Sequence, residues 1–372
     1  MKFRIARRWA AFAVGVALLC GLPVIASALP VKVPSLTASQ LRGRILASAR
    51  EPYAGYAESN ATFGLPPLSG LSGLISLLDG VTKMRVWQAT PARWRVDVLS
   101  DAGERDTYEL SSHRSYIWDS GDELLTEVRG LQTFRLPRAA DLVPPALAQR
   151  LLSEAGRHAR FSVIAPVRVA GRNAAGLRMT PADPASTVAQ VDIWADPSSG
   201  LPLMVEIFTR DSARPALKSQ FFQVSPWRPD PAVLTPVRAS GTGFTVTGPG
   251  NLAGALSNLG LVALPAELAG RLRQPVVPGF EAIGVYGGGL ATFVVLGVRG
   301  SAGANLVGDT LSAGGTALDM PGGTGALISA PLINAVIARP AGFFVTFLLA
   351  GTVSPEVLEQ AAVTLTAEAS AP

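Results

Sequence analysis

The chain reads as a strand-dominated fold of the all-β or α+β class, on three observations. It carries 38 glycines and 29 prolines in 372 residues, with only 16% charged, which suits many short strands and turns better than long helices. Apolar and polar residues alternate with period two through much of Tyr53–Ser225. Helical periodicity is confined to a few short stretches, which narrows the class to α+β.

The first 29 residues read as an export signal. Lys2, Arg4, Arg7 and Arg8 precede an apolar run from Trp9 to Ile25 and then Ala26-Ser27-Ala28, the order of charged, hydrophobic and small-residue regions. The run also approaches the ~20 residues that span a bilayer, so cleaved signal and retained anchor both stand. Either places the remainder outside the cytoplasm, in the periplasm or at the outer face of the cell membrane. Removing this segment leaves 28 basic residues against 27 acidic ones, so the basic balance belongs to the signal and nucleic acid is excluded as a partner. The single cysteine, Cys20, lies within it, so the remainder forms no internal disulfide and no thiolate metal site.

Thr37 and Gln40 have capping-box spacing and Leu41, Ile45 and Ala49 share one face, predicting a helix that stops before Pro52. From Tyr53 to Leu136 alternation predicts an antiparallel meander: Trp94, Val96 and Val98 alternate with Arg93, Arg95 and Asp97. Within it, Leu65, Leu68, Leu71, Leu74, Ile75, Leu77 and Leu78 are spaced by Gly, Ser and Pro. So apolar a segment folds over something apolar, as plain core or as a lid over a pocket. Asp141–Ala155 predicts a second helix, with Pro144 and Pro145 in its first turn. Strands resume at 160–170, 176–180, 188–195, 203–209 and 217–225, divided by turn formers. Leu203, Val205 and Ile207 face one way and Met204 and Phe208 the other, which suggests a curved sheet enclosing apolar volume.

Pro226, Pro229, Pro231 and Pro236 mark a linker over 226–240. It divides a first domain, 30–225, from a smaller α+β domain, 241–372. In the latter, Pro265–Arg273 predicts a short helix, 281–286 and 290–298 a hairpin, and 325–338 and 343–351 further strands. Ser354-Pro355-Glu356 opens a last helix through Leu365. Prolines and glycines interrupt the nearly uncharged run 321–353, so buried strands are favoured over a membrane span.

No residue set supports catalysis. The chain has two histidines, His113 and His158, and lacks HExxH, DxDxDG and Walker patterns, so no catalytic residue, metal or cofactor is expected. Gly287-Gly288-Gly289 joins two strands, as a hairpin turn does, and Asp119 and Asp122 flank another turn.

Pro91-Ala92-Arg93-Trp94-Arg95-Val96, followed by Ser112–Asp119, resembles the central strands of the LolA and LolB lipoprotein carriers. Val169-Ala170-Gly171-Arg172, then Val191–Asp196 and Ser199–Leu203, is similar to the N-terminal domain of the RseB/MucB family, regulators of an envelope-stress sigma factor. Gly279-Phe280, Val285–Phe293 and Gly351–Pro355 match the smaller RseB domain in order and spacing, so the resemblance covers nearly the whole exported chain. It implies a LolA-like half-open antiparallel β-barrel with a helical lid that holds acyl chains, plus a second domain that helps grip an anti-sigma factor. Two features depart from the pattern. Thr90 stands where LolA carriers have a lid-latching arginine, and the leucine-rich insert has no counterpart.

The function these readings support is an exported, non-enzymatic, membrane-proximal lipid or lipoprotein binder, acting as a sigma factor regulator through an anti-sigma factor. The alternative is a carrier of lipids or acyl chains, beside an ABC transporter. Ten buried methylenes at about 0.8 kcal/mol each supply roughly 8 kcal/mol, enough for micromolar binding before ordering costs. Pocket or lid candidates are Leu65, Leu68, Leu71, Leu74, Ile75, Leu78, Trp87, Trp94, Trp118 and Phe208.

Overall fold

The computed structural model describes residues 30–63, 77, 79–101, 103–130, 137–238, 240–248, 264–275, 283–299, 303, 305–342 and 344–369. Residues 1–29, Gly279-Phe280, and Leu65, Leu68, Leu71, Leu74, Ile75 and Leu78 of the insert lie outside the described residues.

The first part of the chain opens with helix α1 (Ala38–Ala47). The expected capping box is formed: the Gln40 backbone N–H donates to Thr37 Oγ1 and the Thr37 N–H to Gln40 Oε1. Leu41 and Ile45 are its buried residues. Six strands follow: β1 (Tyr53–Thr62), β2 (Asp79–Thr90), β3 (Arg93–Ser100), β4 (Gly103–Ser111), β5 (Arg114–Asp119) and β6 (Leu124–Arg129). Helix α2 (Pro144–Ser153) starts on its two prolines, where missing N–H groups cost nothing, and buries Leu147, Ala148 and Leu152. Five more strands close this part: β7 (Arg160–Val169), β8 (Arg172–Thr180), β9 (Val188–Ala195), β10 (Pro202–Thr209) and β11 (Pro215–Ser225).

These strands, with β12 (Gly243–Thr247), form one sheet in the order β12-β6-β5-β4-β3-β2-β1-β11-β10-β9-β8-β7, which does not close on itself. Two antiparallel meanders are thus joined where β1 pairs with both β2 and β11. Residues from both arms, among them Val86, Val96, Leu177, Ile193, Val205 and Phe221, enter one core with α1 and α2. A sheet whose two arms share a core must curl around it. Leu77, the one described residue of the insert, packs against this core.

The second sheet is antiparallel, in the order β15-β16-β20-β19-β18-β17. Its strands are β15 (Ile283–Gly288), β16 (Ala291–Arg299), β17 (Thr316–Met320), β18 (Gly323–Ile328), β19 (Asn334–Pro340) and β20 (Val345–Gly351), with helix α3 (Leu306–Ser312) before β17. Helix α4 (Pro355–Ala369) buries Leu358, Ala361, Ala362 and Leu365 in a core with Phe293, Val336 and Leu349.

Three expectations differ from the structure. Pro265–Arg273 is a hairpin of two-residue strands, β13 (Glu267–Leu268) and β14 (Arg271–Leu272), and not a helix. Ala269 and Gly270 turn it with φ of 49° and 71°, the left-handed pair that fits a two-residue hairpin. The stretch 325–338 is two strands, β18 and β19, divided by a turn. Gly243–Thr247, three residues past the expected linker, pairs in parallel with β6 and so belongs to the first sheet.

A loop from Pro181 to Thr187 clasps the two sheets. Ser186 Oγ donates to the Leu290 carbonyl at 2.7 Å, Thr187 Oγ1 to that of Leu332 at 2.7 Å, and the Ser354 N–H to that of Ala185 at 2.8 Å. Arg271 adds an ion pair to Asp183 at 2.9 Å, and Leu332 enters the first core. No helix among the described residues is long and apolar enough to cross a membrane.

Ser186 is 1% exposed and also accepts from the Val188 N–H at 3.2 Å. Ser186→Ala leaves buried partners unmet and is expected to cost about 1–3 kcal/mol in urea denaturation. A loss under about 0.5 kcal/mol, the range of neutral surface changes, would show that the clasp contributes little.

Candidate functional site

Curling leaves a cleft of about 320 Å³ on the inner face, where α1 and α2 stop short of β2 and β3. Its floor is Tyr53, Val86, Trp94 and Val96, and its wall the segment from Arg138 to Gln149. These floor residues share a face because the Gln88↔Trp94 and Val86↔Val96 pairs hold one register and Tyr53 stands across from Gln88. Tyr53 packs edge-on against Phe221, with centroids 5.8 Å apart. Burial pushes its hydroxyl pKa well above the usual tyrosine value, so it stays neutral.

Polar groups at the rim are committed to protein partners. The Gln88 amide donates to the carbonyls of Ala49 and Glu51 at 3.3 and 3.2 Å. Gln149 donates to the Ile45 carbonyl, tying α2 to α1. Arg138 crosses the mouth: its guanidinium lies 4.6 Å from the Trp94 ring centroid and donates to Glu109 Oε2 at 3.1 Å. Its backbone N–H donates to Asp141 Oδ2 at 2.9 Å, fixing the turn that precedes α2. The cleft is therefore a slot with a largely apolar floor and a cation–aromatic rim.

The expected site residues do not converge. Trp94 lines the cleft. Trp87 lies on the opposite face, its ring 5.2 Å from the Arg95 guanidinium. Trp118 shares that outer face, packing with Tyr108, Tyr116 and Leu125. Phe208 is half-buried on β10, away from the cleft lining. Sequence reasoning missed Arg138 and Gln149, whose roles depend on partners 29 and 104 residues away.

The remaining polar candidates have structural places. Asp119 Oδ1 accepts from the Gly121 and Asp122 N–H groups of its turn. Gly289 turns the β15–β16 hairpin with φ of 63°, and Gly287, with φ of 90°, lies within β15 across from Thr292. His113 is exposed in a turn, and His158 is exposed at a second cavity, of about 410 Å³, between the α2–β7 loop and that hairpin. Among the described residues one acidic group has metal-ligand proximity, Asp97, Glu104 and Asp106 on the outer face. Arg95 already holds two of its carboxylates.

No family model matches the chain, and neither does any curated protein. Solved structures do. The complex of MucA and MucB from Pseudomonas aeruginosa aligns at 18% identity and a TM-score of 0.51, covering 88% of this chain and 97% of that one. A MucB crystal structure in complex with MucA(peri) aligns at 17% identity and 0.48, with the same coverage. A LolA superfamily protein from Nitrosomonas europaea aligns at 11% and 0.25, over 54% of this chain and 99% of that one. The likeness to the first is one of fold, and it runs through both sheets.

Arg138 and Glu109 are coupled across the mouth, with side chains 26% and 16% exposed. A double-mutant cycle with Arg138→Ala and Glu109→Gln is expected to give a coupling of about 0.5–2 kcal/mol in stability. Additive losses would show that the pair does not hold the rim.

Proposed function

We propose that this chain is an exported, non-enzymatic regulator that binds an acyl chain in its inner cleft and grips the outer segment of a membrane anti-sigma factor. The observation that carries this reading is the fold match to MucB, a protein solved together with MucA, over 88% of the chain and both of its sheets. The apolar cleft supports the lipid half of the reading. In this role the clasp between the sheets keeps two binding surfaces at a fixed separation, with the lipid-binding unit on the first sheet and the partner-binding one on the second. The N-terminal segment delivers the chain to the periplasm or holds it at the membrane face.

A carrier of lipids or lipoprotein acyl chains, working beside an ABC transporter, is the second reading. The cleft alone favours it, since carriage needs no second sheet.

Titration calorimetry of the exported chain against the outer segment of each anti-sigma factor of its host tests the first reading. One-to-one binding to one of them is the expected result. Heat from none of them would sink the regulator and leave the carrier. For the lipid half, Ala146→Trp places an indole in the cleft and is expected to weaken binding of a fluorescent fatty acid about tenfold or more, equivalent to ~1.4 kcal/mol. Unchanged affinity would place the acyl site elsewhere.

A further inference from the structure

The outer face of the first sheet carries a charged cluster that the cleft does not use. Asp97 on β3 stands directly across from Asp106 on β4, and Arg95 across from Tyr108. Like charges so placed repel, and both carboxylates are buried, at 1% and 4% exposure. Arg95 spans them, with Nε 2.5 Å from Asp97 Oδ1 and Nη2 2.8 Å from Asp106 Oδ2. Its guanidinium lies between the rings of Trp87 and Tyr108, at 5.2 and 4.7 Å. Glu104 brings a third carboxylate oxygen within 4.8 Å of the other two. Thus one guanidinium faces three carboxylates, and Asp106 Oδ1 is buried without a hydrogen-bond partner among the described residues.

The surroundings supply little further compensation. On β2 Arg85 stands across from Asp97, and Lys83 stands across from Leu99, in the row of Glu104; both are exposed. On β4 the Tyr108 hydroxyl donates to Asp106 Oδ2 at 3.3 Å, and on β5 the neighbour of Asp106 is Trp118. The cover is the proline-rich strap that follows β11. Arg95 Nη1 donates to the Val233 carbonyl at 3.4 Å, and Leu234 is 1% exposed. A turn capped by Asp230 presents these two residues, and the strap then continues into β12.

We propose that Asp97 and Asp106 share a single proton, and that this proton sets how firmly the strap is held on the outer face. With it bound, the pair carries one negative charge, which Arg95 neutralises while it holds Val233. When the proton leaves to solvent, three ionised carboxylates compete for the same guanidinium and the strap loosens. Burial, opposed by the Arg95 hydrogen bond and reinforced by Asp106, pushes the Asp97 pKa up to about 7, and burial raises Asp106 as well. For a carboxyl raised on folding, the stabilisation is complete below the ordinary value of about 4 and is lost as pH rises through about 7. A divalent cation is disfavoured because Nε and Nη2 of Arg95 already occupy the facing oxygens.

The test is hydrogen exchange of the exported chain, corrected for intrinsic rates, at about pH 5.5 and about pH 8. Peptides spanning 229–247 are expected to lose about tenfold or more of their protection at the higher pH, while β17–β18 peptides hold theirs. Asp97→Asn, which keeps an acceptor for Arg95 but cannot ionise, is expected to flatten the response. Equal protection at both pH values, or a response that survives in Asp97→Asn, would overturn the proposal. Carboxyl ¹³C shifts in the unaltered protein give a check independent of that variant: a midpoint near 7 supports the shared proton, and two ordinary midpoints near 4 contradict it. Addition of calcium at the higher pH is expected to change nothing. Recovery of protection by calcium would make the cluster a cation site instead.

Discussion

The inner face of the first sheet is larger than its helices can cover. Twelve strands at about 4.8 Å spacing make a sheet ~58 Å across, while a ten-residue helix is about 15 Å long and ~10 Å wide. Two such helices leave most of that face to water unless the sheet bends. It bends about β1, the strand common to both meanders, so that residues from each arm pack on α1 and α2. What remains uncovered between α2 and β2–β3 is the cleft. The cleft is thus a consequence of a shortage of cover, and its apolar floor is that of a core left without its last neighbour.

The same sheet has an outer face, and the chain deals with it differently. Here aromatic rings and an ion cluster are buried in a strip along β3–β6, beneath a strap rather than a helix. A strap offers few apolar side chains, and Pro229 and Leu234 are the ones it buries. Polar groups beneath it must therefore satisfy each other, which Arg95 does by using both carboxylates and the Val233 carbonyl at once. Toward the sheet edge Arg129 and Arg114 play the corresponding part for Glu127, whose pKa they hold down at about 2.

Much of the fold was legible because its signals are local. The capping box of Thr37 and Gln40, the two prolines of α2 and the alternation in β3 each lie within a few residues of the structure they specify. Register was not legible, and the site depends on it. Trp87 and Trp94 read alike in sequence, but a register shift between Gln88 and Thr90 sets which one faces the helices. Ala269 is not a turn former, so the β13–β14 hairpin looked helical. Gly243–Thr247 is exposed at every residue and pairs with a strand far back in the chain, so no burial pattern announced it. Arg138 gained its place at the cleft mouth from Glu109 and Trp94, contacts that exist only once the meander and α2 are brought together.

The central claim is that the inner face holds an acyl chain. Photo-crosslinking with a diazirine-labelled fatty acid, followed by peptide mapping, tests it at the level of residues. The account predicts adducts on Tyr53, Val86, Val96 and the 138–149 segment. Adducts confined to the outer face or the second sheet, or none above a bulk-protein control, would contradict it.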